Sequence, residues 1–343
     1  MLYDYDADPR IDPRMKAILK VIPPSPEEVI ATREEMVERA ASPTARAMRE
    51  LYRSMVDGVD REEVASFRGL VTTDYEVTSA PDGNTINVRV VRPDDDEVRA
   101  CVYYIHGGAM ATLSCFDGNY RAWARLVAAE GVVVVMVDFR NCVAPSSVPD
   151  VAPFPSGLND CVAGLKWVHE RARDLGVDPS RVVVAGESGG GNLSVAVGLT
   201  LKQLGELDLI KGLYLFCPYL VGEYPVNEYP STVENNGIFI DVRGNGGAIA
   251  YGIDAFDARD PRAWPGFATL DDVRGFPPTV VSVNECDPLR DEGVAFYRLL
   301  LEAGVAARGR VVLGTSHATE VFVETCPDIT RDAARDLAAF ATV

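Results

Sequence analysis

Gly186-Glu187-Ser188-Gly189-Gly190 lies between Arg181-Val182-Val183-Val184-Ala185, a β-branched run that predicts a strand, and Leu193, Val197 and Leu201, an apolar stripe that predicts a helix. In a G-x-S-x-G at a strand–turn–helix junction, small flanking residues permit a strained turn that lifts a serine hydroxyl clear of the sheet. Ser188 is the expected nucleophile. A serine near its free pKa is a weak nucleophile and needs a base, and the chain has three histidines. His106 precedes Gly107-Gly108 at the end of a strand and is expected to hold that loop by hydrogen bonds. His169, in Lys166-Trp167-Val168-His169-Glu170, reads as an ordinary edge residue of a helix. His317, after the last β-rich run Val311-Val312-Leu313-Gly314, is the expected general base.

The third member must orient the imidazole. Asp287 follows the run Thr279–Glu285 and falls at the carboxyl end of a strand, where open α/β sheets place their sites. Glu285, inside the strand, and Asp291, inside the next helix, are the competitors. The chain order Ser, Asp, His is that of α/β-hydrolases rather than of chymotrypsin or subtilisin. A tetrahedral intermediate also needs N–H donors. His106-Gly107-Gly108-Ala109 ends a strand in the place of a loop that donates one or two backbone amides, and Gly189, just after the nucleophile, offers another.

These residues require a scaffold. From Val71 onward eight β-rich runs appear, at 71–79, 85–92, 100–105, 132–138, 181–185, 212–217, 279–285 and 309–314. The first two, close together, predict an antiparallel opening. The later runs alternate with helical patterns and predict a parallel sheet. Val132–Val137 is apolar on both parities, as in a strand covered on both faces. Leu158, Cys161, Val162 and Leu165 form a helical stripe with Gly176 as its stop. The first sixty residues read as helix, with a capping box at Ser25-Pro26-Glu27-Glu28 and a second start at Ser42-Pro43. There Met48, Leu51, Tyr52 and Met55 make one apolar stripe that is expected to be buried; the methionines, with Met36, read first as core packing. Residues 221–266 break the strand rhythm, and Gly244-Asn245-Gly246-Gly247 within them reads as a flexible turn.

Composition closes other classes. The 343 residues carry 33 Lys and Arg against 51 Asp and Glu, a formal charge of −18, and only five of the cations are lysines. No basic face is available for nucleic acid or an anionic membrane. The amino end lacks a signal-peptide pattern, no apolar run approaches 18 residues, and the seven scattered cysteines are expected as free buried thiols, which together predict a soluble cytoplasmic protein. No nucleotide-binding loop or H-E-x-x-H is present, and the scattered histidines and cysteines give little support to zinc. No cofactor or metal is expected.

His106-Gly107-Gly108, Gly186-Glu187-Ser188-Gly189-Gly190-Gly191-Asn192-Leu193, and Asp287-Pro288-Leu289-Arg290-Asp291-Glu292-Gly293 followed by His317 resemble the hormone-sensitive-lipase family of α/β-hydrolase carboxylesterases. The resemblance runs from about residue 70 to the end. It implies an eight-stranded, mostly parallel sheet flanked by helices, with Ser188, Asp287 and His317 as the triad and Gly107, Gly108, Ala109 and Gly189 around the oxyanion. Residues 1–60 and about 221–266 would form a helical cap on a catalytic domain of residues 61–343. Two departures stand out: Ala109 replaces the third motif glycine, and Ala318-Thr319 follows the base in place of Gly-Phe.

The implied activity is hydrolysis of small, short-acyl carboxylic esters by a monomer or homodimer, with lactone opening an open case. The same triad could run acyl transfer or amide hydrolysis. A non-catalytic small-molecule receptor on this scaffold is the other alternative.

Overall fold

The computed structural model describes residues 3–20 and 31–343; the capping box at Ser25–Glu28 lies outside them. Eight strands form one sheet: β1 (Leu70–Thr78), β2 (Thr85–Pro93), β3 (Arg99–Ile105), β4 (Val133–Asp138), β5 (Val177–Glu187), β6 (Gly212–Phe216), β7 (Thr279–Asn284) and β8 (Ala307–Val312). Their order is β1-β2-β4-β3-β5-β6-β7-β8. The β1–β2 and β2–β4 pairs are antiparallel and all others parallel. The antiparallel opening and the parallel body follow the order expected from the sequence.

The central strands are buried on both faces because their side chains alternate between two cores. On β3, Cys101, Tyr103 and Ile105 face one core and Ala100, Val102 and Tyr104 the other; Val133, Val135 and Val137 of β4 oppose Val134 and Met136 in the same way. The first core is closed by α5 (Ser156–Glu170), α7 (Gly189–Leu204) and α11 (Arg290–Glu302), through Leu158, Leu165, Leu193, Val197 and Phe296. The second is closed by α4 (Gly118–Ala128) and α12 (Pro327–Thr342), through Trp123, Val127 and Leu337. Gly176, in the left-handed conformation, ends α6 (Ala172–Leu175), the short helix that follows α5.

Ahead of the sheet lie α1 (Pro13–Leu19), α2 (Arg33–Ala40) and α3 (Pro43–Asp57), the last capped by the Ser42 hydroxyl, which accepts from Ala45 N. Its stripe is not buried. Met48, Leu51 and Met55 are 61%, 55% and 51% exposed, because α3 meets the body of the protein along another face, through Tyr52, Arg53, Val56 and Asp57. Between β6 and β7 the chain forms α8 (Ser231–Glu234), α9 (Gly246–Asp257) and α10 (Leu270–Val273). Among the described residues no helix is long and apolar enough to cross a membrane.

Registers across the sheet bring the carboxyl ends of the strands level. Ile105 pairs with Gly186, Glu187 with Phe216, Phe216 with Ser282 and Asn284 with Val312. The loops leaving β3, β5, β7 and β8 therefore gather along one edge, and they carry Gly107, Ser188, Asp287 and His317.

Candidate active site

Ser188 occupies the single residue between β5 and α7, with φ 55° and ψ −120°. A non-glycine residue held there stores roughly 1–3 kcal/mol of strain, which the surrounding packing must offset. Two glycines make that packing possible: a Cβ at Gly190 would lie 2.0 Å from Ile105 O, and one at Gly186 2.5 Å from Gly190 O. The turn is pinned by its main chain. Ser188 N donates to Phe216 O at 3.0 Å, and Ser188 O accepts from Tyr219 N and Asn192 N, each at 3.0 Å. The half-buried side chain is left lining a cavity of about 520 Å³.

His317 lines the same cavity. Its Nδ1 donates to Asp287 Oδ2 at 2.7 Å, and Leu289 N donates to the other carboxylate oxygen at 2.9 Å. Asp287 is fully buried and His317 is 5% exposed. Burial opposes protonation of His317, but the charge and hydrogen bond of Asp287, with Glu187 and Glu320 beyond them, outweigh it and raise the pKa above the usual 6.5. With its Nδ1 proton committed to Asp287, the neutral ring has Nε2 free as an acceptor. The competing carboxylates are engaged elsewhere: Glu285 Oε2 accepts from Gly314 N at 2.8 Å, and Asp291 accepts from Ser231 N and Arg290 Nε.

Cys217 Sγ completes a cluster with Asp287 and His317 whose donor atoms lie within 4.8 Å of one another, the one such group among the described residues. Burial first, then the charge of Asp287, pushes this thiol well above its ordinary pKa. A protonated thiol beside a histidine–carboxylate hydrogen bond is a poor metal donor set.

The loop after β3 turns sharply, with positive φ at Gly108 (89°), Ala109 (57°) and Met110 (57°). His106 Nδ1 lies 2.9 Å from Gly107 O and its ring stacks on Phe139 with centroids 4.4 Å apart, the loop-holding role expected of it. His169 Nε2, near the end of α5, sits 2.9 Å from Leu209 O and does not line the cavity. Gly108 and Ala109 line the cavity, and Gly189 packs so closely on this loop that a Cβ there would fall 2.6 Å from Met110 N. Gly107 belongs to the loop in a different way, since its N–H donates to Glu187 Oε1 at 2.6 Å.

Glu187 was not singled out by its position in the sequence. Its carboxylate is buried and also accepts from Tyr120 OH at 2.5 Å and Tyr104 OH at 2.6 Å. Burial raises its pKa, against the lowering effect of those two phenols. One carboxylate thus ties the residue before Ser188 to the β3 loop. The variable position of G-x-S-x-G was the available signal, and it carries no periodicity that could reveal this role.

The remaining walls come from remote segments: Tyr52 of α3, Asn119 of α4, Tyr219 after β6, residues 239–243 and Val321–Phe322. Gly244-Asn245-Gly246-Gly247 is not a loose turn. Asn245 takes the N-cap position of α9 without a side-chain capping bond, and a Cβ on Gly247 would lie 1.9 Å from Tyr219 OH, so the helix start is packed against that ring. Ala318 takes the left-handed conformation (φ 57°) that a glycine there would favour. Thr319 turns inward to donate to Ser316 O at 2.8 Å, and the aromatic wall is supplied instead by Phe322, edge-on to Phe239 at 5.1 Å.

With this geometry in view, the comparisons are specific. The family model for the alpha/beta hydrolase fold matches residues 102–321, which carries the chain from β3 past His317. The chain belongs to the α/β-hydrolase family. Among solved structures this hydrolase superposes on esterase Est22 with a TM-score of 0.95 at 55% identity, over 98% of each chain. It superposes on brefeldin A esterase, a bacterial homologue of human hormone-sensitive lipase, with a TM-score of 0.86 at 38% identity, over 98% of this chain and 94% of the other. Carboxylesterase NlhH of Mycobacterium tuberculosis is 36% identical over 240 residues, 67% of this chain and 70% of its own. This α/β-hydrolase is a hormone-sensitive-lipase-like carboxylic-ester hydrolase.

Proposed function

We propose that the ester is cleaved through an acyl-enzyme on Ser188, with His317 as general base and Asp287 as the group that orients it. The observation that carries this reading is the opening of the Ser188 elbow and the Asp287–His317 pair into one cavity. His317 Nε2 takes the hydroxyl proton as Ser188 Oγ attacks the carbonyl carbon, and Asp287 stabilises the imidazolium that results. The amides of Gly108, Ala109 and Gly189 receive the developing oxyanion, while Gly107 holds the loop through Glu187. His317 gives the proton to the leaving alkoxide; a water deprotonated by the same imidazole then attacks the acyl carbon, the bond to Ser188 Oγ breaks, and His317 returns the proton to Ser188 as the acid leaves.

In the same reading, residues 1–60 and 221–266 form a two-piece cap on the catalytic domain. Tyr52 from the first piece and residues 239–243 from the second, which line the cavity, support this. The substrate is a small ester, in keeping with a cavity at the modest end of ligand-site volumes. Seven free, buried cysteines support a cytoplasmic location. Ser188→Ala assayed on p-nitrophenyl butyrate tests the mechanism: kcat is expected to fall on the order of 10⁶-fold, and substantial turnover by the variant would reject Ser188 as nucleophile.

A further inference from the structure

The walls of the catalytic cavity are aromatic and aliphatic over most of their extent, with Tyr219, Phe239, Ile240, Val242 and Phe322 among them. At the α4 side the chemistry changes. Asn119 lines the cavity, is 3% exposed, and its Oδ1 is buried without a hydrogen-bond partner. No described residue bonds its Nδ2. Whichever way the amide is turned, a donor and an acceptor are held in a largely apolar cavity with no partner among the described residues. Tyr52, reaching in from α3, adds a hydroxyl that likewise bonds no described residue. Burial first, then the nearby charges of Asp117 and Glu187, keeps that phenol protonated.

Buried polar groups without partners are uncommon because each sacrifices its hydrogen bonds to water. Asn192 Oδ1 and Ser316 Oγ are also buried without a partner, but of the described residues that line the cavity Asn119 is the one with a buried polar atom in this state, whereas the neighbouring Tyr120 and Gly107 N converge with Tyr104 on Glu187. We infer that Asn119 and Tyr52 form a polar subsite that selects esters bearing a hydroxyl group within an otherwise apolar frame. This deepens the proposed function and rests on it. A hydroxyl reaching the subsite can accept from one member and donate to the other. A substrate that fills the cavity without it leaves the buried Asn119 amide unpaired, and sites that leave a buried polar group unpaired discriminate strongly. Asn119 is next in sequence to Tyr120, whose hydroxyl bonds the Glu187 carboxylate, so the subsite borders the machinery that would hold the oxyanion loop.

The test uses two substrate pairs that differ by one hydroxyl: p-nitrophenyl 3-hydroxybutyrate against p-nitrophenyl butyrate, and 2-hydroxyethyl butyrate against ethyl butyrate. The full-length protein is expected to favour the hydroxylated member of at least one pair by about 10-fold or more in kcat/KM. Asn119→Leu is expected to bring that ratio within about 3-fold of unity, and Tyr52→Phe to lower it part-way. The melting temperature of Asn119→Leu supplies the independent readout. Removal of an unpaired buried amide should leave it unchanged or raised, whereas an amide with a merely structural role would lower it.

No hydroxyl preference in either pair, a preference that survives Asn119→Leu, or a lowered melting temperature in that variant would overturn the subsite. If Asn119→Leu does not fold, Tyr52→Phe decides by the same ratio. Failure of the unmodified protein to hydrolyse any of the four esters would instead count against the esterase reading itself.

Discussion

The edge of the sheet and the two segments proposed as a cap are built on different principles. At the edge, each residue proposed for the chemistry sits one to five positions beyond a strand whose register with its neighbours is fixed, so Ser188, Asp287 and His317 inherit their places from main-chain pairing. In the proposed cap region, Tyr52, Phe239 and Gly247 reach the cavity through packing between segments nearly two hundred residues apart. Substitution at the edge should therefore remove chemistry while sparing the fold, and substitution in the cap region should alter selectivity or do nothing.

The largest effect expected at the edge, after loss of the nucleophile, is from Asp287→Asn, which should lower kcat by about 10⁴-fold by analogy with other triads. The same variant tests the electrostatics. His317 must be neutral to accept the serine proton, so activity should fall as pH drops through its raised pKa, and the acidic limb of kcat/KM should lie above pH 6.5. Removing the Asp287 charge leaves burial, which opposes protonation, countered only by the more distant Glu187 and Glu320, and the limb should move to lower pH. A limb that stays in place would show that another group titrates.

Glu187→Gln comes next. It retains shape but replaces one acceptor oxygen with a donor where three donors converge. We expect a fall in kcat of about 10- to 100-fold with little change in KM, and weaker binding of a boronic-acid transition-state analogue, since the affected element is the oxyanion loop. Equal losses in KM and kcat would place Glu187 with the ground-state binding groups instead.

The smallest effect belongs to α3, in the proposed cap. Changing Met48, Leu51 and Met55 together to Gln should shift stability by no more than about 0.5 kcal/mol at each site, measured by urea unfolding, because all three are more than half exposed. A loss of several kcal/mol would mean that the stripe is covered in solution, and would make the cap region resemble the edge more than the structure suggests.

The same contrast explains what could be read from the sequence. Eight strands were legible because β-branched runs and two-residue alternation depend only on local pattern, and the double-sided burial of Val133–Val137 follows from that pattern alone. The pairing of His317 with Asp287 could be anticipated because both follow strands. The exposure of Met48, Leu51 and Met55 could not, since an apolar stripe marks a face without saying whether anything covers it. Nor could the packing of Gly247 on Tyr219, which looked like a turn because glycines usually mark one. Glu187 was hidden for a third reason: its role depends on two tyrosines and a loop amide that meet only in the folded chain.

The most direct test of the central claim, that the nucleophile is Ser188, is covalent labelling by an organophosphate followed by peptide mass mapping. The account predicts one adduct per chain, on Ser188, formed in step with loss of ester hydrolysis. Complete labelling at another residue, or labelling of Ser188 with activity retained, would contradict it.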